Sequence, residues 1–333
     1  MLPLSVLDLS FVTSGSTPTA ALRATLDLAR HVDDLAYTRF WVAEHHNLPS
    51  VASGAPEIMI GQIASVTRRI RVGSGGVMLP NHAPLMVAER FKLLEALFPG
   101  RIDLGLGRAP GTDQVTSYAL RRLQEDRGRD DFLERLQELM LLETRAFPDN
   151  HPFRRIEVMP SGVPLPPIFL LGSSDYSALL SARLGMGFAF AHHFASHDAV
   201  DSMLAYRRGF QPSQWGGGVP HAILATAVIC AETDDAAERL ASGADLNVVR
   251  RTRGEFGPIP SPEEAMAYPW TDAERDLARR NRSRLFVGSP ATVREKLRPL
   301  IEDTQPDELM ITSAIHDQAA RRRSYELLVG LFD

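Results

Sequence analysis

Phe98-Pro99-Gly100-Arg101-Ile102-Asp103-Leu104-Gly105-Leu106-Gly107-Arg108 carries in miniature the unit from which the chain is built. Pro99-Gly100 stops a helical pattern that begins near Pro84, a residue suited to a first helical turn. Ile102 to Leu106 then reads as a short apolar strand, with Gly107 and Arg108 at its C-terminal end. Outward from this stretch the unit recurs. Before it, Leu4 to Leu9, Phe40 to Ala43 and Ile70 to Leu79 read as strands, with helical patterns over 18–37 and 56–67. In the first of those helices Leu22, Leu26, Ala29, Val32 and Ala36 share one face. Beyond it, a long polar stretch leads to a helix with Phe132, Leu136, Leu139 and Glu143 along one side. Pro167 to Gly172, Phe188 to Ala191, 222–231 and Glu308 to Thr312 follow as strands, separated by helices over 174–185, over 198–209 and from Asp234. A C-terminal helix closes the chain.

Eight strands, each followed by a helical pattern, predict an α/β fold of the (β/α)8 TIM-barrel type in one domain spanning 1–333. A doubly wound open sheet has the same local pattern; the count of eight favours the barrel. The alternation breaks once, over 250–288, between the seventh and eighth strands. Pro258, Pro260, Pro262, Pro269 and Trp270 lie there, with two capping-box signals, Ser261-Pro262-Glu263-Glu264 and Thr271-Asp272-Ala273-Glu274. This insertion is long enough to reach over the barrel mouth and reads as a lid, because functional loops concentrate at that face.

Composition narrows the classes. The chain has 333 residues, 44% hydrophobic and 23% charged, as expected of a globular protein with a core of its own. Its 36 basic and 41 acidic residues give a net charge of −5 and are interspersed, which argues against a nucleic-acid surface. No apolar run is long enough to span a bilayer and no signal peptide opens the chain. A cytoplasmic location is the expectation. The single cysteine, Cys230, sits in an apolar strand and reads as a structural thiol.

The residues that matter are those ending the strands, because a parallel barrel converges them on one face. The second strand ends in Glu44-His45-His46. Neighbours in an extended strand point to opposite faces, so these do not share a metal ion. One histidine as a general acid, base or hydrogen-bond donor fits better, with a structural histidine as the alternative. The third strand ends in Ser74-Gly75-Gly76, where glycine marks either a bulge or a flat ligand lying close to the backbone. Arg108 offers a permanent cation suited to a phosphate, or a partner for a structural carboxylate. Gly172-Ser173-Ser174 opens a helix, which makes it an anion site or an ordinary N-cap. The sixth strand ends in Ala191-His192-His193-Phe194, facing the same mouth. No metal-ligand spacing, phosphate-binding P-loop or dinucleotide fingerprint is present.

In order and spacing, Phe40 to His46, Val72 to Pro80, Phe98 to Arg108 and Leu171 to Ser174 resemble the bacterial luciferase-like flavin monooxygenases, over roughly residues 4–330. The resemblance implies reduced FMN as cofactor, O2 as co-substrate, a small organic substrate, a separate flavin reductase and a homodimer. It implies that Arg108, Gly172, Ser173 and Ser174 bind the FMN phosphate and that Ser74, Gly75 and Gly76 underlie the ring, the two glycines joined by a cis peptide. His192 would adjoin the cofactor, and His45 would occupy the catalytic position. Where light-emitting members carry a reactive cysteine, this chain has Gly107, which weighs against light emission. Relatives within the fold that transfer hydride with F420, or that store flavin without catalysis, set the two alternatives.

Overall fold

The computed structural model describes residues 2–121 and 130–332. Ten strands occur among them. They are β1 (Leu4–Asp8), β2 (Arg39–Val42), β3 (Arg71–Ser74), β4 (Val77–Met78), β5 (Ile102–Gly107), β6 (Ile168–Gly172), β7 (Gly187–Ala191), β8 (Ala222–Cys230), β9 (Leu285–Gly288) and β10 (Glu308–Thr312). The helices α1 (Pro18–Asp34), α2 (Pro56–Val66), α3 (Pro84–Leu97), α4 (Gln114–Arg121), α5 (Phe132–Thr144) and α6 (Asp175–Leu184) occupy the first half. The second half holds α7 (Ala199–Gly209), α8 (Asp234–Thr252), α9 (Pro262–Ala267), α10 (Asp272–Asn281), α11 (Pro290–Thr304) and α12 (Gln318–Leu328).

All strand pairings are parallel, in the order β10-β1-β2-β3-β5-β6-β7-β8, and β10 pairs again with β8. That last pairing closes eight strands into the expected (β/α)8 barrel and excludes the open sheet. Local sequence explains the helix starts. Thr17, Thr233, Ser261, Thr271, Ser289 and Asp317 each accept a backbone N–H of the first turn, and both expected capping boxes form, at Ser261–Glu264 and Thr271–Glu274.

Two segments differ from the sequence reading. Ile70–Leu79 is not one strand. It divides into β3 and β4 around the Gly75–Gly76 peptide, which is cis. The second difference lies inside 250–288, where Leu285–Gly288 forms β9. Strand β8 is nine residues long; its first half pairs with β10 at Ile223–Ala227, and Ala227–Cys230 extends past the barrel rim. An unpaired edge there would leave backbone groups unsatisfied. β9 pairs with it instead. The rest of the excursion is tied down at Ile259, whose N–H reaches Val12 O at 2.8 Å while its carbonyl accepts from Ser14 N at 2.9 Å. In the polar stretch after β5, α4 was not expected, and residues 122–129 lie outside the described structure.

The barrel interior is layered. At its floor Arg39 lies between Asp103 (2.7 Å) and Glu308 (2.9 Å), while Trp41 Nε1 donates to Asp103 and Ser5 to Glu308. Burial disfavours the Arg39 charge, but the two carboxylates outweigh it and raise its pKa. Above the floor Leu7, Trp41, Ala43, Phe169, Ala189, Ile223, Ala225 and Met310 form the lumen core. Toward the rim the inward positions become small. Ala191 and Ala227 are only half-buried, and Gly105 and Gly107 carry no side chain. The lumen is therefore filled by large side chains below and lined by small ones above. Cys230 ends β8 at 1% exposure, and burial pushes its thiol up to about 12, which leaves it inert at neutral pH.

Candidate functional site

Glu44, just beyond β2, organises one side of the mouth. Its carboxylate is fully buried. One oxygen accepts from His46 Nε2 and Asn81 Nδ2, the other from Met78 N and His82 Nε2, at 2.8–2.9 Å. Burial alone would raise its pKa. The hydrogen bonds from His82, Asn81 and His46 override this and hold it at about 2. The Glu44 N–H also donates to Gly76 O at 3.1 Å. One residue thus holds the chain at Gly76 and Met78, on the C-terminal side of the Gly75–Gly76 peptide. Neither His82 nor Asn81 carries a signal in the sequence that marks it for the site. Both lie in a short turn after β4 and reach Glu44 only through the fold.

The alternation of the pleat separates the histidines. Trp41 and Ala43 belong to the lumen core, and His45 continues their series, whereas Glu44 and His46 take the other face. Burial pushes the His45 imidazole below its ordinary value, and the nearby Arg251 guanidinium adds to this against a hydrogen bond to the Gly111 backbone. His45 is therefore neutral at pH 7, able to accept a proton or to donate a hydrogen bond. Across the barrel, Ala189 and Ala191 set the inward series that His193 continues. His193 Nδ1 lies 3.1 Å from Ala225 O, and burial with the nearby His45 and Arg284 lowers its pKa. His192, the neighbour expected to adjoin the cofactor, is instead turned toward β9. It is 4% exposed and stacks on Phe286 at 5.7 Å. The two-residue period was the signal that distinguishes these histidines.

His192 gives a pH test. Burial drops its pKa from 6.5 to about 4, aided by His193 and Arg284. Between those values the unfolded chain binds the proton and the folded one does not, so stability falls as pH falls through that window. The loss reaches up to about 3 kcal/mol. In His192→Leu, the acid limb of a Tm-against-pH curve between pH 6.5 and 4 is expected to become shallower. An unchanged limb would show that the proton is taken up elsewhere.

Ser74, Gly75 and Gly76 pack against β5. Ser74 Oγ donates to Gly105 O at 2.8 Å and accepts from Gly105 N at 3.0 Å. A Cβ on Gly76 would lie 2.4 Å from Leu171 Cδ1 and 2.8 Å from Gly105 O, so only glycine fits there. At the end of β5, Arg108 is half-exposed, 3.3 Å from Asp130, and its guanidinium carbon sits 4.6 Å from the centre of the Tyr176 ring. Tyr176 is in the first turn of α6. Arg108 thus stands beside the Gly172-Ser173-Ser174 turn, as the shared-anion reading requires. The single long contact to Asp130 is the alternative carboxylate pairing in weak form. Ser174 is the α6 N-cap, yet its side chain makes no capping hydrogen bond. Gly172 is required by packing, since a Cβ would meet Ser177 Cβ at 2.5 Å.

These residues form a donor set fitted to a phosphate monoester: a guanidinium, serine hydroxyls with no hydrogen bond among the described residues, and the uncapped N-terminus of a ten-residue helix. Between the phosphate corner and the histidines, the inward rim positions are the small residues Gly105, Gly107, Ala191 and Ala227. Thr312 Oγ1, buried at the end of β10 on the series of Met310, has no hydrogen-bond partner among the described residues. Buried orphans of this kind point to a ligand. The residues present fit a flavin. Among the described residues no cluster suits a metal ion, and no helix is long and apolar enough to cross a membrane.

The family model described as luciferase-like monooxygenase matches residues 2–307. A luciferase-like monooxygenase of Escherichia coli (strain K12) is 40% identical over 98% of this chain and 96% of its own length. The N-acetyl-S-alkylcysteine monooxygenase of Bacillus subtilis (strain 168) is 36% identical over 98% of the chain and 97% of its own length. Among solved structures, apo-MsnO8 aligns with a TM-score of 0.89 at 40% identity, covering 100% of this chain and 98% of that one. Two others share the fold alone. The oxygenating constituent of 3,6-diketocamphane monooxygenase, solved with FMN, aligns at TM-score 0.71 and 18% identity over 99% of this chain and 97% of that one. An F420-dependent secondary alcohol dehydrogenase aligns at 0.67 and 11% over 100% and 99%.

Proposed function

Because the chain belongs to the luciferase-like monooxygenase family, we propose that it is a flavin-dependent monooxygenase using reduced FMN and O2 to oxidise a small organic substrate. Bound flavin supplies the two electrons that, with O2, place one oxygen atom in the substrate and release the other as water. One observation carries the choice of FMN: Arg108 stacks over Tyr176 beside the uncapped Ser173-Ser174 turn. That corner would hold the phosphate. Ser74, Gly75 and Gly76 would receive the ring, kept in place by Glu44. His45, neutral and half-buried, would accept or return the proton that moves when the substrate is oxidised, and His193 faces it from the opposite side of the mouth. The excursion tied to Val12 and Ser14 would limit the entry of water as a lid. A separate reductase would supply the reduced flavin.

Titration of the purified protein with reduced FMN and with F420, followed by oxygen-consumption assays with candidate substrates, tests this reading. Tighter binding of reduced FMN and substrate-dependent oxygen uptake are expected. Preference for F420 would replace oxygenation with hydride transfer. Flavin binding that no substrate couples to oxygen uptake would favour storage.

A further inference from the structure

Beside the mouth a cleft of about 360 Å³ opens between the turn after β7, the C-terminal half of α8, and α10. Phe194, Val248 and Leu277 give it an apolar side, and Phe194 is 70% exposed. Arg280 and Arg284 give it a charged one. Among the described residues no carboxylate lines it, although the chain as a whole is net acidic at −5.

The two arginines are not spent in the same way. One Arg284 nitrogen donates to Phe194 O at 2.6 Å and another to Asn281 Oδ1, which fixes the side chain at the cleft wall. Arg280 makes no ion pair or hydrogen bond through its side chain among the described residues. A second cleft, of about 610 Å³ between α8, α9 and α10, lacks this property. There Arg282 is neutralised by Asp245 at 2.7 Å and Glu238 at 3.0 Å. An unpaired guanidinium next to a fixed one, over an apolar wall, matches an amphipathic anion. Its flat fork suits a carboxylate in particular. A volume of this size lies in the range of small-molecule sites.

The cleft also adjoins the reacting region. Phe194 directly follows His193, and Thr252 on its rim directly follows Arg251. Arg251 and Arg284 are near enough to act on the charges of His45 and His193.

We propose that this cleft is the substrate's anchoring subsite and that the substrate is a small organic carboxylate, its anion held by Arg280 and Arg284 and its apolar part against Phe194 and Leu277. This assignment rests on the monooxygenase reading for what becomes of the substrate, but not for the binding itself.

Calorimetric titration with 3-phenylpropanoate and its neutral isostere 3-phenylpropanamide, on the wild-type chain and on Arg280→Met, tests it. The acid is expected to bind at least about tenfold more tightly than the amide, as one charge-assisted contact of about 1.4 kcal/mol requires. Arg280→Met is expected to remove most of that difference, the rest being held by Arg284, while leaving the affinity for reduced FMN unchanged. Equal binding of acid and amide, or a difference undiminished in Arg280→Met, would overturn the assignment. Failure of FMN to bind would instead strike at the monooxygenase reading, since the acid–amide comparison is made without flavin.

Discussion

Replacing Glu44 with alanine is expected to cost about 3–5 kcal/mol of stability, the range for removing one side of a buried charged network. Four donors converge on this carboxylate, from His46, Asn81, Met78 and His82. Alanine would remove their shared acceptor, leaving the Met78 N–H buried and unpaired and the half-buried His46 and His82 rings unanchored. A Tm lower by about 5–10 °C follows for a chain of this size. The comparison is Glu232→Ala, which breaks an ion pair with Arg323 that is about half exposed on both sides and should cost under about 1 kcal/mol. Equal losses in the two variants would refute the organising role of Glu44. The network also has a pH signature. With the folded Glu44 pKa held at about 2 against 4.5 for the free group, its contribution is complete above pH 4.5. It is lost as pH falls toward 2.

The second large effect concerns His45. If this imidazole accepts and returns the proton of the oxygenation step, His45→Ala should lower kcat by about 10²–10⁴-fold. The affinity for reduced FMN should change far less, because the phosphate corner lies on other strands. A depressed pKa means that the neutral form persists below the usual histidine range. The acid limb of the kcat profile should therefore fall below pH 6.5 in the wild type and be absent in the variant. A variant that keeps its kcat but binds flavin poorly would make His45 a cofactor contact and not a proton carrier.

Much of this was legible in the chain itself. The eight barrel strands are short apolar runs with stop signals, so their order, and hence the barrel, could be read directly. Capping boxes at Ser261 and Thr271 showed where α9 and α10 begin. Arg108 and Ser174 could be related because they follow neighbouring strands. What could not be read depends on contacts between distant residues. Strand β9 has four residues and forms because β8 overshoots the rim, a length that no local pattern reveals. Asn81 and His82 matter only because Glu44 is folded onto them. The histidine pair after β7 was decidable from the inward series of Ala189 and Ala191, yet residue type alone gave no reason to prefer His193 over His192. The orphaned hydroxyl of Thr312 has no sequence signal at all, since its meaning lies in what fails to pack against it.

The proposed flavin site turns on the corner where Arg108 meets the Ser173-Ser174 turn, and discrimination between FMN and riboflavin measures that corner most directly. Riboflavin has the ring and lacks the phosphate. The wild-type chain is expected to bind reduced FMN at least about tenfold more tightly than reduced riboflavin, and Arg108→Met should remove most of that preference, about 1.5–3 kcal/mol. Riboflavin bound as tightly as FMN, or a preference untouched in Arg108→Met, would place the phosphate elsewhere and contradict the site described for this chain.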